Sequence, residues 1–189
     1  MKNRSIWKGV VAGAVGGLAA TIVMTQFQNG WTKVAERSNP ASDENQKSQG
    51  QDDPSTVKMA DRVFEIATGK HLSKEEKPFA GKLVHYGFGT LSGVVYGLLS
   101  EFVPKARAGF GSTFGSALFV GVDEIGVPLA GFSKPPSEYP AKVHLYTFAS
   151  HLVYGTALEA SRRAVRATLD KSRRRSIPAR IANRLRRVA

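Results

Sequence analysis

Residues 10–27 read Val10-Val-Ala-Gly-Ala-Val-Gly-Gly-Leu-Ala-Ala-Thr-Ile-Val-Met-Thr-Gln-Phe27, with no charge among them and with Lys2, Arg4 and Lys8 just before. A helix needs roughly 20 apolar residues to cross about 30 Å of hydrocarbon. The block from Ile6 to Gln28 reaches that length. A cleaved signal peptide opens in the same way, but this run is long and no Ala-x-Ala site closes it. The reading is a first transmembrane helix within residues 1–28. Gly9, Gly13 and Gly17 recur every four residues, with Ala12, Gly16 and Ala20 on the adjacent row. Small residues at this spacing let two helix backbones approach closely in lipid; the plainer alternative is a glycine-rich span.

Working outward, residues 29–81 are polar and charge-balanced. Ser38 to Pro54 is rich in Asn, Gln, Ser and Asp and reads as flexible. Within residues 55–68, Val57, Ala60, Val63, Phe64 and Ala67 recur at helical spacing, and Gly69 follows as a C-cap. This predicts a short amphipathic helix in the first outer loop, lying on the membrane or on the bundle. Ser73 with Glu76 three residues later reads as a capping box.

Three further apolar blocks follow within residues 82–165: about Lys82 to Val103, closed by Pro104; about Ala108 to Phe132; and about Lys142 to Val165. Each is long enough to span. Gly, Ser, Thr, His and Tyr are frequent in them, which suits helices that meet one another rather than lipid alone. A soluble four-helix bundle is the competing reading, opposed by the length of the nearly charge-free segments. The mean hydropathy of −0.21 hides this arrangement, because apolar blocks alternate with charged ones.

The formal charge is +12, and residues 162–187 hold eleven Arg/Lys against one acid, Asp170. Positive residues mark the cytoplasmic side. The amino end, the Lys105–Arg107 turn and the tail over residues 166–189 are all basic. Four crossings with both termini in the cytoplasm satisfy all three. The tail reads as helical, broken by Ser172 to Pro178. Arg162, Arg163, Arg173, Arg174 and Arg175 are candidates for binding anionic lipid. No aromatic side chains interleave the arginines, so no nucleic acid is expected.

Ser92-Gly-Val-Val-Tyr96-Gly97 leading to Glu101 matches Ser150-His-Leu-Val-Tyr154-Gly155 leading to Glu159, both S-x-x-V-Y-G-x-x-x-E. Gly109, Gly111 and Gly115 echo the first block's glycines. The predicted fold is an all-α integral membrane four-helix bundle, built as two parallel-repeated helical hairpins. Tyr96 and Tyr154 read as packing aromatics beside Gly97 and Gly155. Glu101 and Glu159 read as interfacial partners of Arg107, Arg162 or Arg163.

Asp123 and Glu124 stand inside the third block, where a charge costs about 2.5–3.5 kcal/mol on insertion scales. Neighbouring helix positions point about 100° apart, so the two acids need different partners. Counting rise per residue, Asp123 and His151 fall at similar depth, with His144 one heptad earlier and His85 near an outer helix end. These five form a candidate proton- or ligand-binding cluster; the alternative is a structural hydrogen-bond network. Their spacing matches no metal motif, so a metal stays open, and no cofactor is expected. With no cysteine, disulfides and thiolate metal sites are excluded. No phosphate loop, nucleophile elbow or HExxH occurs, so no enzyme is expected. The glycine rows make a homo-oligomer plausible.

Thr56-Val-Lys-Met-Ala-Asp-Arg62, His85-Tyr-Gly-Phe-Gly-Thr90, Asp123-Glu-Ile-Gly-Val-Pro128 and Tyr139-Pro140, leading to Ser150–Gly155, resemble the uncharacterised bacterial membrane proteins related to YagU. The resemblance covers about residues 6–166. It implies a bacterial inner-membrane location and supplies no catalytic residues. The expected role is binding or conducting a proton, cation or small polar ligand. The alternative is a structural or stress-related membrane protein acting by helix association and lipid binding.

Overall fold

A computed structural model describes residues 4–38 and 53–186; of residues 36, 38 and 172–186 it describes the backbone only. All regular structure among these is helical: α1 (Ile6–Ser38), α2 (Ser55–Thr68), α3 (Lys77–Phe102), α4 (Ser112–Leu118), a π-helical stretch (Phe119–Gly126), α5 (Val127–Leu129) and α6 (Ala141–Arg186). Short 3-10 turns at Pro104–Gly111 and Pro136–Glu138 complete it.

The small-residue rows of α1 decide its neighbours. α1 packs along both α3 and α6. A Cβ on Gly9, Gly13 or Gly17 would run into the backbone of Gly97, Gly93 or Gly89 on α3. The adjacent row turns the other way: a Cβ on Gly16 would meet Leu158 and Arg162 of α6 at 3.2 Å. Ala12 and Ala20 have no exposed surface. Two rows of small side chains therefore hold two helices at close range, so that dispersion contacts form between backbones.

A second contact of the same kind joins α4 to α6. A Cβ on Gly155 would fall 3.0 Å from the backbone nitrogen of Gly115, and Gly111 also abuts Gly155. Gly155 here meets Gly111 and Gly115 as Gly97 meets Gly9 and Gly13.

α2 lies on α3 rather than apart from it. Val57 and Ala60 are buried, and the Val57 side chain fills the space over Gly81. Gly69 closes α2 in the left-handed conformation at φ 70°, its N–H bonding Glu65 O at 2.8 Å. Ser73 and Glu76 bond reciprocally, Ser73 N to Glu76 Oε2 at 2.9 Å and Glu76 N to Ser73 Oγ at 3.3 Å. This box sets the entry to α3.

Three expectations change. The third block is not helical from Ala108: Gly109 and Phe110 take φ of 60° and 54°, and helix begins only at Ser112. Gly109 therefore serves a turn, where a left-handed φ favours glycine. The run Ser112–Leu129 then contains a π-helical stretch around Asp123. Ser172 to Pro178 does not break the last helix, which runs unbroken for 46 residues. Ile177, Ala179 and Arg180 flank Pro178, no glycine occurs between Thr156 and Arg186, and proline removes a single backbone donor.

One helix among the described residues, over residues 6–35, is long and apolar enough to cross a membrane, with mean hydropathy 1.7 in its apolar window. Signal sequences and core helices share that property.

Candidate functional site

The Ser112–Leu129 run and α6 bring four of the five candidate residues into two pairs. His151 Nε2 lies 3.5 Å from Asp123 Oδ2. His144 Nδ1 lies 2.8 Å from Glu124 Oε1. The adjacent acids thus take different histidines, as their angular separation requires.

Hydrogen-bond accounting fixes where protons can sit. His151 Nδ1 contacts Thr147 O at 2.9 Å. A carbonyl only accepts, so Nδ1 carries the hydrogen and Nε2 is the nitrogen that faces Asp123. His144 Nε2 likewise donates to Pro136 O at 3.0 Å, leaving one proton between Nδ1 and Glu124. His144 therefore ties the third helical run to the connection over residues 132–140, which holds Pro135, Pro136 and Pro140. His85 stands apart from both pairs, its Nε2 3.4 Å from Thr25 Oγ1. Thr25 already donates to Thr21 O at 2.8 Å, so His85 is the donor there.

A cavity of about 230 Å³ opens between these groups. His85, Asp123 and His151 line it, with Tyr154 and with Ser55 and Thr56 from α2. The Tyr154 hydroxyl donates to Gly89 O at 2.6 Å, joining α6 to α3 beside the cavity. Glu124 and His144 line a neighbouring cavity of about 250 Å³, and Asp123, Ser55 and Thr147 border both. Sequence reasoning missed Thr25, Ser55, Thr56 and Thr147. Only Thr147, four residues before His151, carried a signal, since that spacing shares one helix face. Among the described residues, no three His, Asp or Glu side chains are grouped to hold a metal ion.

At the other end, Glu159 has no exposed surface. It accepts from Arg162 Nε at 2.7 Å and Nη2 at 3.0 Å, from Arg163 Nε at 2.6 Å and from the Tyr96 hydroxyl at 2.9 Å. The helix turn puts Arg162 and Arg163 three and four residues on, over the same carboxylate. Arg162 is buried there, which removes it from the side chains free to meet lipid. Glu101 pairs with Arg166 of α6 at 2.7 Å rather than with Arg107. Ser5 N also donates to Glu101, and Lys8 Nζ reaches Asp170 at 2.6 Å. Arg173, Arg174 and Arg175 lie on α6, with side chains outside the described residues.

The described residues form an all-helical protein with ionic groups in its interior and, at one end, a cavity bordered by Asp123 and His151. It belongs to a family described as Protein of unknown function (DUF1440), whose model matches residues 54–160. That span takes in α2, both acid–histidine pairs and Glu159. No curated protein matches the chain, and no solved structure does.

Proposed function

We propose that this is a polytopic membrane protein of the YagU-like kind, in the bacterial inner membrane, that binds or conducts a proton, cation or small polar ligand through the Asp123–His151 cavity. The supporting observation is the Asp123–His151 pair, 3.5 Å apart on the wall of a cavity large enough for several waters or a small ligand. One proton shared between a carboxylate and an imidazole is a titratable unit.

Four crossings as two parallel-repeated hairpins, both termini cytoplasmic, is the architecture this reading uses. Its support is the inverted distribution of side chains. Val11, Val15, Leu18 and Ile22 on α1, Leu83, Leu91, Val95 and Leu99 on α3, Val120, Ile125 and Leu129 in the third run, and Val143 and Leu145 on α6 are exposed. Lys8, Ser92, Ser150, Glu159 and Arg162 are buried. Contiguous apolar exterior of this extent marks a partner or a bilayer. The matched glycine contacts around Gly97 and Gly155 support the repeat.

Asp123→Asn and His151→Gln test the site. The wild type in liposomes carrying an internal pH dye should dissipate a proton gradient, or show a thermal midpoint that steps with pH or with added ammonium. Both variants should fold and lose that response. If they fold and behave as wild type, the reading fails.

A second reading has its own observation. Both ring nitrogens of His144 are engaged, so the Glu124–His144–Pro136 contact works as a clamp. On that reading the protein is structural and acts through helix association and anionic lipid.

A further inference from the structure

The end opposite the Asp123–His151 cavity holds a larger one, of about 970 Å³, lined by Arg4, Arg107, Arg162, Arg163 and Arg166 with Glu101 and Asp170 as the acids. Five guanidiniums against two lining carboxylates leave a cationic surface even after Glu159 is counted behind them. Like charges gathered at one place repel unless a counter-ion joins them.

The arginines are not equivalent. Arg162 and Arg166 are committed to carboxylates. Arg163 spends only Nε on Glu159, and its guanidinium stacks on the Phe110 ring at 4.6 Å. Phe110 is the one described non-glycine residue at positive φ, so the connection is bent where it meets Arg163. Arg4 and Arg107 have no partner among the described residues. Ser100 also lines the cavity. It is 5% exposed, and its hydroxyl makes no hydrogen bond of ordinary geometry, although the Tyr96 phenol is nearby. A buried hydroxyl without a partner costs free energy, and an acceptor entering the cavity would relieve it.

We infer that this cavity binds a phosphate-bearing anion, held by Arg4, Arg107 and Arg163 with the Ser100 hydroxyl. Guanidinium forks match phosphate oxygens in geometry and charge. The volume admits the phosphate together with the group that carries it. The phosphate can come from a free anion or from a lipid headgroup. The site is independent of the Asp123–His151 cavity and would survive the failure of that reading.

The test uses the full chain in neutral detergent, with the thermal midpoint followed against inorganic phosphate and, separately, against phosphatidylglycerol with phosphatidylcholine as its control. A response to phosphate identifies a free-anion site. A response confined to phosphatidylglycerol identifies a headgroup site. Either supports the proposal. Arg107→Gln and Arg4→Gln should each raise the half-saturating concentration about tenfold, the loss expected of one charge-assisted contact. Lys105→Gln, the same charge change at an exposed position two residues away and outside the lining, should leave it unchanged. No response to either probe, or equal loss in Lys105→Gln, overturns the proposal. Should the arginine variants not fold, Ser100→Ala decides, and unchanged half-saturation there overturns it.

Discussion

The Tyr96 hydroxyl on α3 donates to Glu159 Oε2 on α6 across 2.9 Å, and neither residue has exposed surface. This bond joins two residues 63 positions apart in the chain, one on each helix. It also completes the shell of a carboxylate that already holds Arg162 and Arg163.

Glu159→Gln should therefore be severely destabilising. It leaves the buried Arg162 guanidinium without its counter-charge, a loss of about 3–5 kcal/mol. Tyr96→Phe removes one bond to a charged group and should cost about 1.5–3 kcal/mol. Thermal unfolding in detergent gives the order, and a Tyr96→Phe loss as large as that of Glu159→Gln would contradict this account.

Glycine substitutions should split sharply by position. Gly97→Ala places a methyl against Gly13, 2.8 Å from its Cα, and neither backbone can yield. Overpacking of this kind costs about 1–3 kcal/mol. Gly87 has open space where its Cβ would be, so Gly87→Ala should be neutral or slightly stabilising. Equal melting of the two variants would remove the close approach of α1 and α3.

His144→Ala should loosen the connection between the third run and α6. It removes the bonds to Glu124 and to Pro136 O, which hold that turn from both sides. Proteolysis within residues 133–140 should become faster while global unfolding shifts little. Unchanged cleavage would mean that the prolines alone order the segment.

Asp61 gives a pH prediction outside the bundle. Its carboxylate accepts Leu72 N–H at 2.7 Å and contacts His71 Nδ1 at 2.9 Å, tying the end of α2 to the chain that follows. The Leu72 amide first, then His71, hold its pKa below the ordinary 3.8. A carboxylate with a depressed folded pKa stabilises the fold fully above its unfolded value and loses that contribution as pH falls through the folded one. Hydrogen exchange of residues 69–72 should therefore accelerate as pH drops below 3.8, after correction for the intrinsic rate. Asp61→Asn should flatten that acid-dependent step.

A topological prediction exploits the absence of cysteine. Lys105→Cys and Lys134→Cys, introduced singly, should be labelled by an impermeant thiol reagent from opposite faces of the cell membrane. Labelling from one face would remove an odd number of crossings between them.

Much of this was legible in the chain. The four-residue spacing of Gly9, Gly13 and Gly17 announces a close helix contact, because without a Cβ only the backbone limits approach. Depth counting brought Asp123 level with His151, since helix rise converts residue number into height. Gly69 and the Ser73–Glu76 box were readable because capping is local. What the sequence by itself determined is thus helical content, helix ends set by short-range bonds, and the heights of polar groups. Tertiary structure alone decided that Glu124 takes His144, that His85 turns to Thr25, and that Glu101 meets Arg166 instead of Arg107. It also decided that the helix around Asp123 widens. Those outcomes depend on the rotation of each helix about its axis and on which neighbour lies alongside, and residue spacing within one helix carries neither.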